Sequence, residues 1–348
     1  MRLLHNIIDI ERLIHSIKTV IAILIGLLLG KVVGMHAAQW IIISIIVVMC
    51  TQIYVGSVVQ KAYLRFLGTS IGCLFAAITI VFAGDSPLAV GIAISLSAFI
   101  FSYLVTKQED LNPAGTLGAV TTAIIMLGPT PTLWVALQRF LEISAGILIA
   151  TLVSQFVLPI HARTHLRRAQ ATTLAKLRDY FCAMMAAETS ADQPTDFQTL
   201  DENIAKLLLK QRQLAKDSKR EPLGLAFKHK NFIFTLYCER EILRAITMME
   251  TALATLRKLN AQFMPQPALT SFNEQVVTTI NCLIDLIYSN STAKKCTADL
   301  NINDIKVLLQ QNRTAYSEEA LVYLDGFLFS AEVMVDALKK LERLFVAY

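Results

Sequence analysis

The stretch Ala62-Tyr63-Leu64-Arg65-Phe66-Leu67-Gly68-Thr69-Ser70-Ile71-Gly72 opens an apolar run that continues to Ala83. A run of about 20 mostly apolar residues is long enough to cross a bilayer, because the hydrocarbon core is about 30 Å thick and each helical residue rises about 1.5 Å. Seventy-four residues further on, Ala136-Leu137-Gln138-Arg139-Phe140-Leu141-Glu142-Ile143-Ser144-Ala145-Gly146 repeats Ala, Arg-Phe-Leu and Gly at the same offsets, and Ala150 matches Ala76. Apolar helices match by chance at Leu and Ala. Two arginines inside apolar runs, with the same neighbours, are harder to obtain that way.

Working outward from these two stretches, the runs Lys18–Gly34, Ala37–Val55, Ala62–Ala83, Pro87–Val105, Ala114–Gly128 and Val135–Leu158 read as six transmembrane helices. The fifth is short and crowded with Gly115, Thr116, Gly118, Thr121 and Thr122, so a continuous helix and a broken or re-entrant one both stand. Ahead of the first run, Leu3–Ile14 has the pattern of a short amphipathic helix lying in the interface. A three-helix repeat is odd-numbered, so its copies run in opposite directions across the membrane, the inverted 3+3 arrangement of many transporters. Positive charge concentrates at Arg2, Arg12, Lys18, Lys61, Lys107 and, after the sixth run, at Arg163, Arg167 and Arg168. That places both termini in the cytoplasm, with Lys18 and Lys31 marking the interfaces of the first span and Trp40 and Trp134 acting as interfacial aromatics.

Charge density changes abruptly at Pro159. Residues 1–160 hold eight Lys/Arg and six Asp/Glu, against 24 and 21 in residues 161–348. The chain therefore divides into a membrane domain, 1–160, and a water-soluble α-helical domain, 161–348, and the expected fold class is all-α. The net charge of +5 is spread over both halves, which excludes a polybasic nucleic-acid binder. In the second half, helices are expected over Ala162–Ala187, Phe197–Lys216, Leu225–Asn260, Thr270–Tyr288, Ile305–Gln311 and Ser317–Val346, separated by Pro- and Asn-rich joints. Leu321, Leu324, Leu328, Val335, Leu338, Leu341 and Phe345 form a core or subunit-contact stripe at helical spacing.

No GxxxxGK[ST] loop and no GxGxxG after a strand is present, so neither ATP-driven transport nor a dinucleotide cofactor is indicated. His161 and His165 have an i, i+4 spacing but no third ligand nearby, and no metal or other cofactor is expected. The six cysteines form no CxxC pair; Cys50 and Cys73 lie in apolar runs and Cys182, Cys238, Cys282 and Cys296 in expected cytoplasmic helices, and all read as reduced, structural residues.

Charge within a span costs at least about 2.5 kcal/mol, so Arg65 and Arg139 draw attention. On one reading they flank a route for anionic solutes; on the other each snorkels to headgroups about one turn inside its face. Glu142 is the acidic residue within a span, three residues after Arg139, and either pairs with it or carries a proton. Gly68 and Gly72, with Thr69 between them, and Gly146 in the second copy are the small residues that let neighbouring helices approach.

Trp40, the apolar span after it, Gly56, Arg65-x-x-Gly68-Thr69-x-x-Gly72, and later Arg139-x-x-Glu142-x-x-x-Gly146 with Pro159 at the exit resemble the fusaric acid resistance protein-like family, which includes the aromatic acid exporters. The resemblance covers the membrane half and implies six spans, a cytoplasmic helical region, and efflux of aromatic carboxylic acids or similar organic anions across the bacterial inner membrane. Aluminium-activated malate channels have a similar plan, which implies passive anion conduction as the alternative. A non-transporting membrane scaffold whose soluble domain binds a partner is the third reading. Many members carry two such units where this chain has one, so a homodimer is expected. The sequence departs from the family at Ile53, where a proline is usual after the second span.

Overall fold

A computed structural model describes residues 10–33, 35–83, 86–107, 111–128, 131–189, 196–221, 229–259, 266–289, 296–297, 300–311 and 313–346. Among the described residues every regular element is helical. Two compact units result, one of residues 1–162 with 217–225, the other of 163–216 with 226–348.

The first unit contains α1 (Ile10–Val33), α2 (Met35–Met49), α3 (Val55–Ala83), α4 (Pro87–Lys107), α5 (Asn112–Met126) and α6 (Leu133–Phe156). α1, α3, α4 and α6 are long and apolar enough to cross a membrane. α2 and α5 have 15 residues each, about 22 Å of helix, shorter than a bilayer core. α2 ends at Met49 rather than Val55, and α3 starts at Val55, seven residues before the expected Ala62. α5 is continuous, with Pro113 in its first turn, where the missing N–H costs nothing. α6 starts cleanly because Thr132 Oγ1 accepts a hydrogen bond from Val135 N. Ile10–Ile14, expected in a separate interfacial helix, runs unbroken into α1; the earlier part, Leu3–Asp9, lies outside the described residues.

These helices put large apolar side chains outward and small or polar ones inward. On α1, Ile17, Val20, Leu24 and Leu28 are exposed while His15, Lys18, Thr19, Ala22, Gly26 and Gly30 are buried. That polarity suits a helix whose outer face meets hydrocarbon and whose inner face packs on other helices. α1 packs on α2 and α4 on α5; α2 packs on α6 and α5 on α3; α3 and α6 pack on each other. Lighter contacts join α1 to α6 and α4 to α3. Exchanging α1, α2 and α3 for α4, α5 and α6 leaves this set of neighbours unchanged. Ala22, Ile41, Ile45, Val58, Ile147 and Ala150 share one core cluster, and Cys73, Ala76, Ile125, Met126 and Ala136 a second.

The second unit is built from α7 (Ala162–Thr189), α8 (Phe197–Lys219), α9 (His229–Lys258), α10 (Gln266–Ser289), α11 (Asn303–Gln311) and α12 (Glu318–Val346), except that the end of α8 belongs to the first unit. α9 and α12 pack along their lengths. Ala320, Leu324, Phe327, Ala331, Met334, Leu338 and Leu341 form the buried stripe of α12. Leu324, Val335, Leu338 and Leu341 of the expected stripe are buried, while Leu321, Leu328 and Phe345 lie at its edge. One cysteine expectation fails: Cys282 and Cys296 are joined in a disulfide. Glu342 of α12, which accepts from the backbone N of Cys296 and Thr297, ties the second cysteine to α12, a contact that spacing alone does not reveal.

Candidate functional site: buried cations among the membrane helices

Arg65 lies ten residues into α3, about 15 Å from its start at Val55. Only 4% of it is exposed. Its Nη2 donates to Ser44 Oγ of α2 at 3.1 Å, and Nε and Nη1 have no partner among the described residues. A guanidinium has five donors in a planar fork, so most of its hydrogen-bonding capacity is unmet. Lys61, one turn earlier on the same face, adds positive charge and donates to Thr51.

Ser44 can stand there because Gly146 leaves room. A Cβ on Gly146 would sit 2.6 Å from Ser44 Cβ and 2.5 Å from the Ile41 carbonyl oxygen. In the same way a Cβ on Gly72 would sit 2.5 Å from the Gly118 carbonyl oxygen. Gly68 lies against the Ala114 backbone, and Thr69 is buried beside them. All four expected packing residues are therefore at or beside close helix contacts.

Arg139 is in a different situation. Its Nη1 pairs with Glu142 Oε2 at 2.8 Å along one face of α6, and its guanidinium lies 4.8 Å from the centre of the Trp40 ring. Trp40, expected only as an interfacial anchor, thus has a cation over its π face. Phe66 and Phe140, the residues after the two arginines, meet with ring centroids 5.7 Å apart. α3 and α6 therefore cross antiparallel where the two Arg-Phe-Leu triplets lie. Arg139 is stabilised twice over; Arg65 is left with open donors.

Two further polar residues of α1 are buried: His15, for which the sequence carried no expectation, and Lys18, which was expected to mark an interface. Lys18 is 0% exposed and its Nζ has no partner among the described residues. His15, one turn before it, donates through Nε2 to the Met49 carbonyl at 3.0 Å and leaves Nδ1 open. The available signal was the spacing of His15, Lys18, Thr19, Ala22 and Gly26, a polar and small stripe on a helix otherwise rich in Ile and Leu.

Within the same unit, the segment after α8 closes on the starts of α3 and α7. Arg220 Nη1 donates to Gln60 Oε1, and Glu221 Oε1 accepts from Ala162 N at 2.6 Å with His161 Nδ1 at 3.6 Å from its other oxygen. His161 is thus engaged by a carboxylate, and among the described residues no His/Cys/Asp/Glu group has the clustering a metal requires.

The second unit has a buried polar contact of its own. Gln211 Nε2 donates to Thr173 Oγ1 and to Glu239 Oε2, both at 2.7 Å, and Gln211 and Glu239 are fully buried. Burial pushes the Glu239 carboxyl up to about 8, with the Gln211 hydrogen bond opposing in part.

A bundle of apolar helices with small residues at its contacts and buried cations inside defines an α-helical integral membrane protein. The chain belongs to the fusaric acid resistance protein family, whose model matches residues 12–321. It is similar to the inner membrane protein YeeA of Escherichia coli K12, 25% identical over 165 residues, which are 47% of this chain and 46% of that one. It is also similar to a UPF0421 protein of Bacillus cereus ATCC 10987, 29% identical over 147 residues, 42% of this chain and 39% of the relative. The match thus spans less than half of each relative.

Proposed function

We propose that this chain is a secondary transporter that exports small organic anions, with aromatic carboxylic acids as the substrate class. The observation that carries the reading is Arg65, a buried guanidinium that makes one hydrogen bond and has no carboxylate partner among the described residues. A substrate carboxylate would accept from the open Nε or Nη1 in a charge-assisted hydrogen bond, with the Nη2 N–H that Ser44 leaves free as the second point of the fork. Phe66, Phe140 and Trp40 bring aromatic surface to the same level. The name of the family points to an aromatic acid, and YeeA supports an inner-membrane location.

In this reading α1–α3 and α4–α6 are inverted copies and all six helices span, with both termini in the cytoplasm. The exchangeable neighbours support it, and so do individual contacts. Adding 74 to Gly146 and Ser44 in reverse gives Gly72 and, from Ser44, Gly118, which is the pair that meets between α3 and α5. Gly26 meets Ile41 and Ile45, while Phe101 meets Gly115 and Gly118 at almost the same offset. The Arg139–Glu142 pair would open when Glu142 takes up a proton, which ties substrate movement to a proton gradient without nucleotide. The soluble domain, residues 161–348, would regulate transport or pair two copies of the chain.

Full-length protein reconstituted in liposomes tests this. Labelled benzoate should leave loaded vesicles, the efflux should collapse when the proton gradient is dissipated, and Arg65→Met should abolish it. Anion current that ignores the gradient would make the protein a passive channel. No flux of any carboxylate, with Arg65→Met indistinguishable from the parent, would leave only the scaffold reading.

A further inference from the structure

We infer that Lys18 and His15 of α1 form an anion-binding station of their own, which takes a carboxylate alongside the Arg65–Ser44 station. The inference rests on the transport reading and adds to it a site on a different helix. Lys18 is fully enclosed by the protein, and its ammonium has no acceptor among the described residues. In the membrane-embedded half the described carboxylates are Glu11 and Glu142, and the latter is bound by Arg139. A buried charge without a counter-charge is expensive in a low-dielectric surround, and an anion from outside the chain would complete the pair that no described residue completes.

Other open polar atoms gather at the same level. His15 Nε2 faces a carbonyl oxygen, which only accepts, so Nε2 carries the ring proton and Nδ1 is open. Contacts of His15 with Met49 and of Gly26 with Ile41 and Ile45 show that α1 and α2 run antiparallel. Lys18 is three residues from His15 and Ser44 five from Met49, so the two lie within about one helical turn of the same depth. α2 and α6 both run antiparallel to α3, and Gly146 meets Ile41 and Ser44. Eight residues along, Ser154 of α6 therefore reaches the level of Met49 and His15, with its buried Oγ unpartnered. The ammonium and the hydroxyl donate to a carboxylate directly, and imidazole Nδ1, an acceptor while Nε2 carries the single ring proton, joins them by taking up a proton when the anion arrives. Two buried cations at nearly one depth, on α1 and α3, neither with a carboxylate partner among the described residues, give an anion successive places to rest.

The test uses full-length protein in lipid nanodiscs, with benzoate as probe and chloride as control. Lys18→Met should weaken benzoate binding on the order of tenfold, and Lys18→Arg should restore most of it. Without anion, Lys18→Met should melt at or above the parent's temperature, because an uncompensated buried charge has gone; a lysine with a merely structural partner would melt lower. Wild-type benzoate affinity in Lys18→Met would overturn the station. If Arg65→Met abolishes binding while Lys18→Met does not, only this inference falls and anion transport stands. If the parent binds no benzoate and Arg65→Met also matches it, the transport reading falls as well.

Discussion

Phe66 of α3 and Phe140 of α6 meet ring to ring, with centroids 5.7 Å apart and planes tilted by 51°. They are the middle residues of the two Arg-Phe-Leu triplets, 74 residues apart. Corresponding residues of two copies contact each other only near the axis that relates the copies. The contact therefore sits where the proposed inverted repeat requires its axis, and the unequal treatment of Arg65 and Arg139 shows where pseudo-symmetry gives way to chemistry.

This ring contact should be worth about 0.5–1.5 kcal/mol beyond the area it buries. A double-mutant cycle with Phe66→Leu and Phe140→Leu, read by reversible unfolding in detergent, measures it. Strictly additive single changes would mean that the rings meet without coupling.

Gly146→Ala should destabilise the protein by about 1–3 kcal/mol, because the new methyl has to push α2 away at Ile41 and Ser44. The displacement also moves Ser44, so benzoate efflux should fall with it. Gly91→Ala on α4 is the matched control: nothing lies within 4 Å of its Cβ position, and removing a helix-interior glycine should stabilise by up to about 1 kcal/mol.

Glu239 should make the protein pH-sensitive. Its carboxyl titrates at about 8 when folded, against a usual value of 4.5, so the folded state holds a proton that the unfolded state has lost across that window. Stability is full below about 4.5, falls by up to about 1.4 kcal/mol per pH unit as pH rises toward 8, and levels off above it. Glu239→Gln, read as melting temperature against pH, should flatten this slope and melt above the parent at pH 8.

The Cys282–Cys296 bond closes a loop of 14 residues' separation. In the loop-entropy picture it contributes about 3 kcal/mol. Mass mapping without reductant should find the bridged peptides, and reduction should lower the melting temperature of the parent but not of Cys282→Ser/Cys296→Ser.

Much of the fold was legible because bilayer-length apolar runs and helical periodicity are local properties. The expected helices fall close to α1–α12, and the all-helical class and the pairing of Arg139 with Glu142 three residues on needed nothing beyond spacing. Helix ends were less legible. α2 stops at Met49, where the chain turns ahead of the polar Thr51 and Gln52, residues that the expected run to Val55 passed over.

The sequence by itself determined an all-helical membrane chain with arginines at equivalent places in two stretches. Only the tertiary structure decided that Arg139 is satisfied and Arg65 keeps open donors, that Trp40 meets a cation, and that Lys18 is buried without a partner among the described residues. Apolar content and period specify that a helix forms and roughly which face is inward. Whether an inward charge finds a counter-charge depends on which other helix packs against it, and in this bundle those neighbours lie far away along the chain: Ser44 and Gly146 are 102 residues apart.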